Sequence, residues 1–257
     1  MRELNDITIS RAIIEQYSKD LLDYLDVDVA IAGAGPAGLV AAYYLAKVNK
    51  KVAIFERRLS IGGGMWAGGM MFNHIVIQED AKAILEDIGI KVSAYKENYY
   101  TADSVHAATG LAYKATDAGA KIFNCISVED VYFKNNRVSG FVINWSTTKM
   151  TGLLVDPLTI KAKACVDGTG HDASVVNQLI TKNQVKLETE TGGLMGEQGM
   201  WADVAEPLIV KNTKEIYPGL WVTGMACAAT FGGPRMGPIF GGMLLSGKKI
   251  ADNLRDL

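Results

Sequence analysis

Three glycines and one glutamate near the start of the chain have the types and spacing needed to bind a dinucleotide. Gly33, Gly35 and Gly38 follow the apolar stretch 27–32, and Glu56 closes a second apolar stretch 18 residues after Gly38. In such a turn the first glycine permits a tight bend, the second lets a pyrophosphate approach the backbone, and the third lets a helix pack closely on a strand. The helix N-terminus offers free N–H groups to phosphates. The carboxylate can accept hydrogen bonds from ribose hydroxyls, so the sequence predicts a site for the ADP half of a dinucleotide.

The segments around this turn alternate between strand-like and helix-like patterns. Short apolar runs indicate strands, and apolar residues at helical spacing indicate helices. We predict helices over 8–25, 39–47, 78–88, 101–118 and 241–254, and strands over 27–32, 51–55, 161–167 and 219–224. Residues 120–146 are predicted to form an antiparallel hairpin, with strands near 127–133 and 137–145. This alternation resembles the FAD/NAD(P)-binding Rossmann-like α/β fold, a parallel sheet flanked by helices, here with the hairpin inserted.

We interpret residues 1–257 as one dinucleotide-binding domain that carries a helical arm over residues 1–26. The arm is amphipathic, so we expect it to pack on the dinucleotide-binding unit or on a neighbouring subunit. Residues 189–200 are rich in glycine and lack a clear period. Either a mobile lid over the substrate or a solvated surface loop fits that pattern.

Composition and charge narrow the class of protein. With 49% hydrophobic and 21% charged residues, the chain has the composition of a globular protein. Its formal net charge of −2 argues against nucleic acid or an anionic membrane as the main partner. The N-terminus lacks the apolar core of a signal peptide and no apolar run has membrane-spanning length, so we expect a cytoplasmic protein. The cysteines, Cys125, Cys165 and Cys227, are far apart and predict neither a disulfide framework nor a zinc site.

Four longer motifs extend the evidence beyond the glycine-rich turn. They are GAGPAGL with VAIFERR, GGGMWAGGMMFN, VDPLTIKAKACVDGTGHDA and PRMGPIFGGMLLSGKK. The last two are not general motifs of flavoproteins. Together the motifs resemble the thiamine thiazole synthase family, from about residue 5 to residue 252. The resemblance implies an enzyme that makes the adenylated thiazole of thiamin from NAD and glycine.

The source of sulfur divides this family into two branches. Eukaryotic members take sulfur from their own cysteine, which stands two residues before the aspartate of an Asp-Pro pair, and are spent after one turnover. Here the pair is Asp156-Pro157, and Leu154 occupies the donor position. Cys165 and Cys227 lie in apolar strand-like surroundings, where a thiol is usually inert. The chain therefore resembles the prokaryotic, archaeal-type branch, which uses free sulfide and Fe(II) and turns over repeatedly, although some of its members carry histidine where Leu154 stands.

The resemblance also implies the catalytic residues. It assigns the iron ligands to Asp156 and His171, and carboxylate oxygen and imidazole nitrogen suit Fe(II). In the family these two ligands come from adjacent subunits of a homo-oligomer, for which the family suggests an octamer. Arg235 is expected to hold the carboxylate of glycine in bidentate geometry. Asp172, next to His171, could be a general base or could orient the imidazole.

The contacts to NAD follow from the same resemblance. They are Gly33, Ala34, Gly35, Pro36, Gly38, Glu56, Arg57, Gly64, Val128, Met225 and Arg235. Arg57 could favour the 2′-phosphate of NADP, but Glu56 would repel that phosphate, so we predict NAD as the substrate. Three other functions stay open at this point: an FAD-dependent oxidoreductase, a sugar-phosphate isomerase of the ribose-bisphosphate type, and a non-catalytic dinucleotide sensor.

Overall fold

The apolar and amphipathic segments fold into alternating strands and helices. The computed structural model describes residues 4–257, so the first three residues of the predicted arm and domain lie outside it. In the described range the helices are α1 (Asp6–Asp23), α2 (Pro36–Lys47), α3 (Glu79–Ile88), α4 (Ser104–Asp117), α5 (Ser146–Thr151), α6 (Ser174–Asn183), α7 (Ala202–Asn212), α8 (Met225–Phe231) and α9 (Gly241–Leu254). The strands are β1 (Asp26–Ala32), β2 (Val52–Glu56), β3 (His74–Ile77), β4 (Ser93–Lys96), β5 (Tyr99–Asp103), β6 (Lys121–Asn124), β7 (Ile126–Lys134), β8 (Arg137–Trp145), β9 (Leu158–Asp167), β10 (Glu215–Tyr217) and β11 (Leu220–Val222).

Parallel strands form the centre of the large sheet. Their order is β11-β9-β1-β2-β6, with β10 antiparallel to β11 at one edge. Ala30 of β1 lies opposite Ala53 on one side and Cys165 on the other. Apolar clusters cover both faces, with α2, α4 and α9 on one and the β7–β8 hairpin and α6 on the other. The central strands are therefore almost continuously apolar, as expected for a doubly covered parallel sheet, and the Rossmann-like α/β prediction is confirmed.

Close packing of α9 on α2 fixes the helix that follows the glycine-rich turn. A Cβ atom added at Gly247 of α9 would lie 2.3 Å from the carbonyl oxygen of Ala37, near the start of α2. The two helices therefore approach more closely than any larger side chain would allow. Because α2 begins at Pro36, three residues before the predicted start, the proline occupies the first helical position, where its missing N–H costs nothing.

The predicted hairpin is confirmed as β7 and β8. Asn135 and Asn136 form its turn at φ +52° and +55°, the left-handed conformation that two-residue hairpin turns require. β8 pairs antiparallel with the first half of β9, whereas β11 pairs in parallel with the second half. The inserted hairpin thus branches from the sheet partway along β9. The prediction that 120–146 is all hairpin was wrong at its start, because β6 at 121–124 joins the parallel sheet beside β2.

A second sheet, of strand order β3-β5-β4, was not predicted. We predicted a helix over 101–118, but its first residues belong to β5, and α4 begins only at Ser104. Asp103 ends the strand and caps the helix, because its Oδ1 accepts the N–H of His106 at 2.7 Å. Helices α5, α6, α7 and α8 were not predicted either. Of these, α7 contains Pro207.

The predicted amphipathic helix of the N-terminal arm is confirmed as α1, but many of its apolar side chains are exposed. Tyr17 and Tyr24 pack edge-on against Phe123, which attaches the C-terminal half of α1 to the sheet. Ile7 and Ile13, by contrast, are 70% and 65% exposed. Surfaces of this kind are typical of contacts between subunits. Within residues 4–257 none of the helices combines the length and the apolar character needed to cross a membrane.

Candidate active site

A single cavity of about 2000 Å³ opens at the carboxyl ends of β1, β2 and β9. Ligands of open α/β sheets bind at this end of the strands. Most of the residues predicted from the sequence line it: Gly33, Gly35, Pro36, Glu56, Arg57, Gly64, Val128, Asp156, His171, Met225 and Arg235. The other two, Ala34 and Gly38, are buried. The structure thus brings together residues that lie up to 202 positions apart (33 to 235) in the chain.

The glycine-rich turn has the geometry that its sequence predicts. Gly33 adopts φ +98°, and a Cβ atom there would lie 2.5 Å from the carbonyl oxygen of Gly168. A Cβ atom at Gly38 would lie 2.2 Å from the carbonyl oxygen of Gly33, so helix and turn are in direct contact. At Gly35, by contrast, a Cβ atom would meet no atom of residues 4–257 within 4 Å. The N-terminus of α2 is therefore open to the cavity and can receive a phosphate group.

Glu56 ties the end of β2 to this turn. Only 7% of the residue is exposed. Its Oε2 accepts the N–H of Ala34 at 2.9 Å and its Oε1 accepts the N–H of Arg58 at 2.8 Å. Each carboxylate oxygen has a second lone pair that remains available to a ribose hydroxyl. Ala34, which is buried, contributes to the site through this backbone hydrogen bond.

A buried carboxylate shapes the turn that carries His171. Asp167, at the end of β9, is fully buried, and burial raises the pKa of its carboxyl group. One oxygen accepts the backbone N–H and the hydroxyl of Thr169, and the other accepts the N–H groups of Val175 and Val176 at the start of α6. These bonds fix both ends of the turn, so His171 projects from a rigid base into the cavity.

The partner of His171 is Glu197. The Nδ1 atom of His171 lies 2.8 Å from both carboxylate oxygens of Glu197. Asp172, the neighbour that we considered as an orienting residue, instead pairs with Arg57, with Nη2 3.1 Å from Oδ2. The orienting contact therefore comes from a residue 26 positions away. Glu197 was not predicted, because nothing in the aperiodic sequence around it indicates that it pairs with His171.

The segment 189–200 is hydrogen-bonded to the C-terminal end of α8 and to the residues that connect α8 to α9. The N–H of Gly196 donates to Ala229 O at 2.9 Å, and the N–H of Gln198 donates to Gly233 O at 3.0 Å. These bonds disfavour the interpretation as a lid. They also bring Glu197 close to Arg235, whose Nε lies 4.0 Å from Oε2.

Asp156 lies at the cavity rim in an exposed loop. The preceding residues Leu153, Leu154 and Val155 are apolar, yet all are exposed, Leu154 completely. In the part of the chain that the structure describes, no three His, Cys, Asp or Glu residues come together as a metal site. Asp156 and His171 line the same cavity, and these two side chains are fewer ligands than a protein metal site usually has.

Two of the three cysteines are too deeply buried to offer a reactive thiol to this cavity. Cys165 and Cys227 are fully buried in the core. Burial raises the pKa of both thiols, that of Cys227 to about 12. Because the thiolate is the reactive form, both thiols are inert near neutral pH. Neither can replace the cysteine that is missing at Leu154.

Comparison with known proteins agrees with the motifs and the cavity. Residues 10–240 match the model of the Thi4 family. The chain is 54% identical over 250 residues to the thiamine thiazole synthase of Methanothermobacter thermautotrophicus, covering 97% of both chains, and 56% identical over 248 residues to that of Pyrococcus furiosus, covering 96% of both. The crystal structure of Thermovibrio ammonificans THI4 superposes with a TM-score of 0.97 at 54% identity, covering 99% of this chain and 98% of that one. The chain therefore belongs to the Thi4 family of thiamine thiazole synthases.

Proposed function

We propose that this protein converts NAD, glycine and free sulfide into an ADP-linked 5-(2-hydroxyethyl)-4-methylthiazole-2-carboxylate, with Fe(II) and over many turnovers. One observation carries the proposal. The dinucleotide turn, His171, Asp156 and Arg235 all face one cavity, and that cavity contains no thiol side chain among its described lining residues. This supports a source of sulfur outside the protein.

NAD binding is supported by the open N-terminus of α2 and by Glu56. The pyrophosphate is expected to lie against the N–H groups after Gly35, and the adenosine ribose against the carboxylate of Glu56. Loss of nicotinamide leaves an ADP-ribose whose sugar opens and isomerises to a ketone. The cavity volume of about 2000 Å³ is ample for this substrate together with glycine.

Glycine binding is supported by the position of Arg235. Its side chain is 59% exposed, and its only charged neighbour within the described residues is Glu197, which it approaches through Nε. The two terminal nitrogens of the guanidinium are thus left for a carboxylate, which they match in bidentate geometry. Held there, glycine can condense through its amine with the ketone of the ADP-linked sugar.

The chemistry of the donor set supports Fe(II). His171 and Asp156, which both line the cavity, would hold the metal. Imidazole nitrogen and carboxylate oxygen suit a divalent first-row metal. When bound, the metal supplies Lewis acidity and a template for sulfide and substrate.

We further propose that the protein forms a homo-oligomer, an octamer as in the family, and that adjacent subunits share the iron ligands. The incomplete metal shell of the single chain supports this, as do the exposed apolar side chains of Leu153, Leu154 and α1. NAD, glycine and sulfide are its partners, and neither nucleic acid nor a membrane is. A cytoplasmic location stays a prediction.

The test is to purify the protein without oxygen, denature it, and identify the released molecule by absorbance and mass. An adenylated thiazole or an ADP-linked pentulose would support the proposal, whereas FAD would overturn it in favour of a flavoenzyme. If the protein is empty, NAD, glycine, Fe(II) and sulfide are added, and failure to form the thiazole mass would equally overturn it. As a control, His171→Ala is expected to abolish sulfur insertion while ADP-ribose still forms.

A further inference from the structure

Glu197 lies between His171, the proposed iron ligand, and Arg235, the proposed binding residue for glycine. Its carboxylate lies 2.8 Å from Nδ1 of His171 and 4.0 Å from Nε of Arg235. The Glu197 side chain is only 15% exposed, whereas those of His171 and Arg235 are 51% and 59% exposed. The carboxylate is thus the shielded member of the group, and its two partners extend from it into the cavity.

We propose that Glu197 is a positioning residue, which holds His171 in the tautomer that carries its proton on Nδ1 and presents Nε2 to the metal. This inference rests on the function proposed above, since the metal belongs to that function. Glu197 acts through His171 and not directly on the substrate or the metal.

The tautomer follows from hydrogen-bond chemistry. A neutral imidazole has one donor and one acceptor nitrogen, and an ionised carboxylate can only accept. The contact between Nδ1 and Glu197 therefore requires the proton on Nδ1 and leaves the lone pair on Nε2. A carboxylate in this position also makes the imidazole a more basic ligand, and loss of such a partner typically lowers metal affinity 10- to 100-fold.

The backbone around Glu197 is rigid enough for this role. Residues on both sides of it, Gly196 and Gln198, donate their N–H groups to Ala229 and Gly233. Arg235 in turn donates its N–H to the carbonyl oxygen of Gln198 at 3.3 Å. The carboxylate and the guanidinium thus lie on two backbone segments that are hydrogen-bonded to each other, and the histidine is aligned to them.

The same segment provides a matched control. Glu190 lies seven residues before Glu197 (197 − 190), is exposed, and forms no ion pair within residues 4–257. Glu190→Ala removes an equal carboxylate without touching His171. Glu197→Gln retains an acceptor for the Nδ1 proton but removes the charge, whereas Glu197→Ala removes both.

The experiment measures two properties in the full-length oligomer. The first is the ¹⁵N imidazole spectrum of the metal-free protein at a pH where histidine is neutral, with the His171 signal identified through His171→Ala. The second is the affinity for Co(II), a spectroscopic substitute for Fe(II), measured by its visible absorption. Wild type and Glu190→Ala are expected to show the Nδ1–H tautomer and the same Co(II) affinity. Glu197→Ala should lose the tautomer preference and bind Co(II) 10- to 100-fold more weakly, with Glu197→Gln keeping the tautomer and losing less affinity.

The inference is overturned if Glu197→Ala keeps the wild-type tautomer. It is also overturned if wild type binds Co(II) and Glu197→Ala binds it with the same affinity. If wild type itself binds neither Co(II) nor Fe(II), the proposed iron function fails, and the tautomer spectrum alone then decides the role of Glu197. Should Glu197→Ala not assemble, the comparison of Glu197→Gln with Glu190→Ala decides the affinity in the same way.

Discussion

A buried glutamate between α7 and α9 makes the stability of the fold depend on pH. Glu206 is 2% exposed; its Oε2 accepts the N–H of Gly242 at 2.6 Å, and its Oε1 has no hydrogen-bond partner within residues 4–257. Burial raises the pKa of Glu206 from its ordinary 4.5 to about 7, and the Gly242 N–H only partly opposes this. Between pH 4.5 and about 7 the folded protein therefore holds a proton on Glu206 that the unfolded chain has released. The stability that this proton contributes is fully present below pH 4.5 and is lost as the pH rises through 7.

The magnitude follows from the two pKa values. A shift of one pKa unit corresponds to about 1.4 kcal/mol, so raising the pH from 5 to 8 should lower the free energy of unfolding by roughly 2 to 3 kcal/mol through this group. Glu206→Gln is always neutral, so it should gain that amount relative to wild type over the same range. Urea unfolding of both proteins at pH 5, 6, 7 and 8, at one subunit concentration, measures the difference. Glu190→Gln, at an exposed site, should show no such gain.

The result that refutes this reasoning is a difference between wild type and Glu206→Gln that is the same at all four pH values. Because other titrating groups are common to both proteins, they cancel in that difference. A constant difference would mean that Glu206 titrates near its ordinary pKa despite its burial. It would also mean that its carboxylate is stabilised by more than the single N–H of Gly242.

Three further predictions concern the site. Gly38→Ala should destabilise the fold by about 2 kcal/mol or more, because its Cβ would lie 2.2 Å from a backbone carbonyl oxygen. Gly35→Ala should fold normally and weaken NAD binding. Thermal unfolding measures the first effect and calorimetric titration with NAD the second, and equal stability of the two variants would contradict the packing argument. Arg235→Lys keeps the charge but loses the fork, so KM for glycine should rise roughly tenfold while KM for NAD changes little; a parallel rise in both would count against the assignment. Asp156→Ala and His171→Ala should each be inactive alone. If adjacent subunits share the ligands, oligomers assembled from both variants should recover roughly a quarter of wild-type activity. Mixed oligomers without activity would argue that both ligands come from one chain.

The parts of the molecule that sequence could predict are those governed by neighbours along the chain. The turn from Gly33 to Gly38 is recognisable because its glycines are required by local geometry: Gly33 has a positive φ, and Gly38 is in close contact with the carbonyl oxygen of Gly33. The Asn135-Asn136 hairpin turn is local in the same sense. The last three residues of β5 were predicted as helix because the boundary depends on one side chain, that of Asp103, which both ends the strand and caps α4.

The features that sequence could not predict arise from contacts between distant segments. Glu197 meets His171 only because residues 196–198 pair with the stretch that ends at Arg235. Asp172 was the natural candidate for an orienting group, since it is adjacent in sequence, but its carboxylate lies against Arg57 instead. The buried position of Glu206 likewise results from the packing of α7 on α9 and has no signature in its own segment.

The proposed chemistry is tested most directly by counting turnovers with isotopically labelled sulfide. The oxygen-free protein is incubated with NAD, glycine, Fe(II) and the labelled sulfide, and the adenylated thiazole formed per subunit is quantified by mass spectrometry together with the mass of the intact protein. We predict several labelled product molecules per subunit and an unchanged protein mass, because Leu154 occupies the donor position and both buried cysteines are inert. At most one unlabelled product per subunit, with a protein that has lost sulfur, would contradict the proposal.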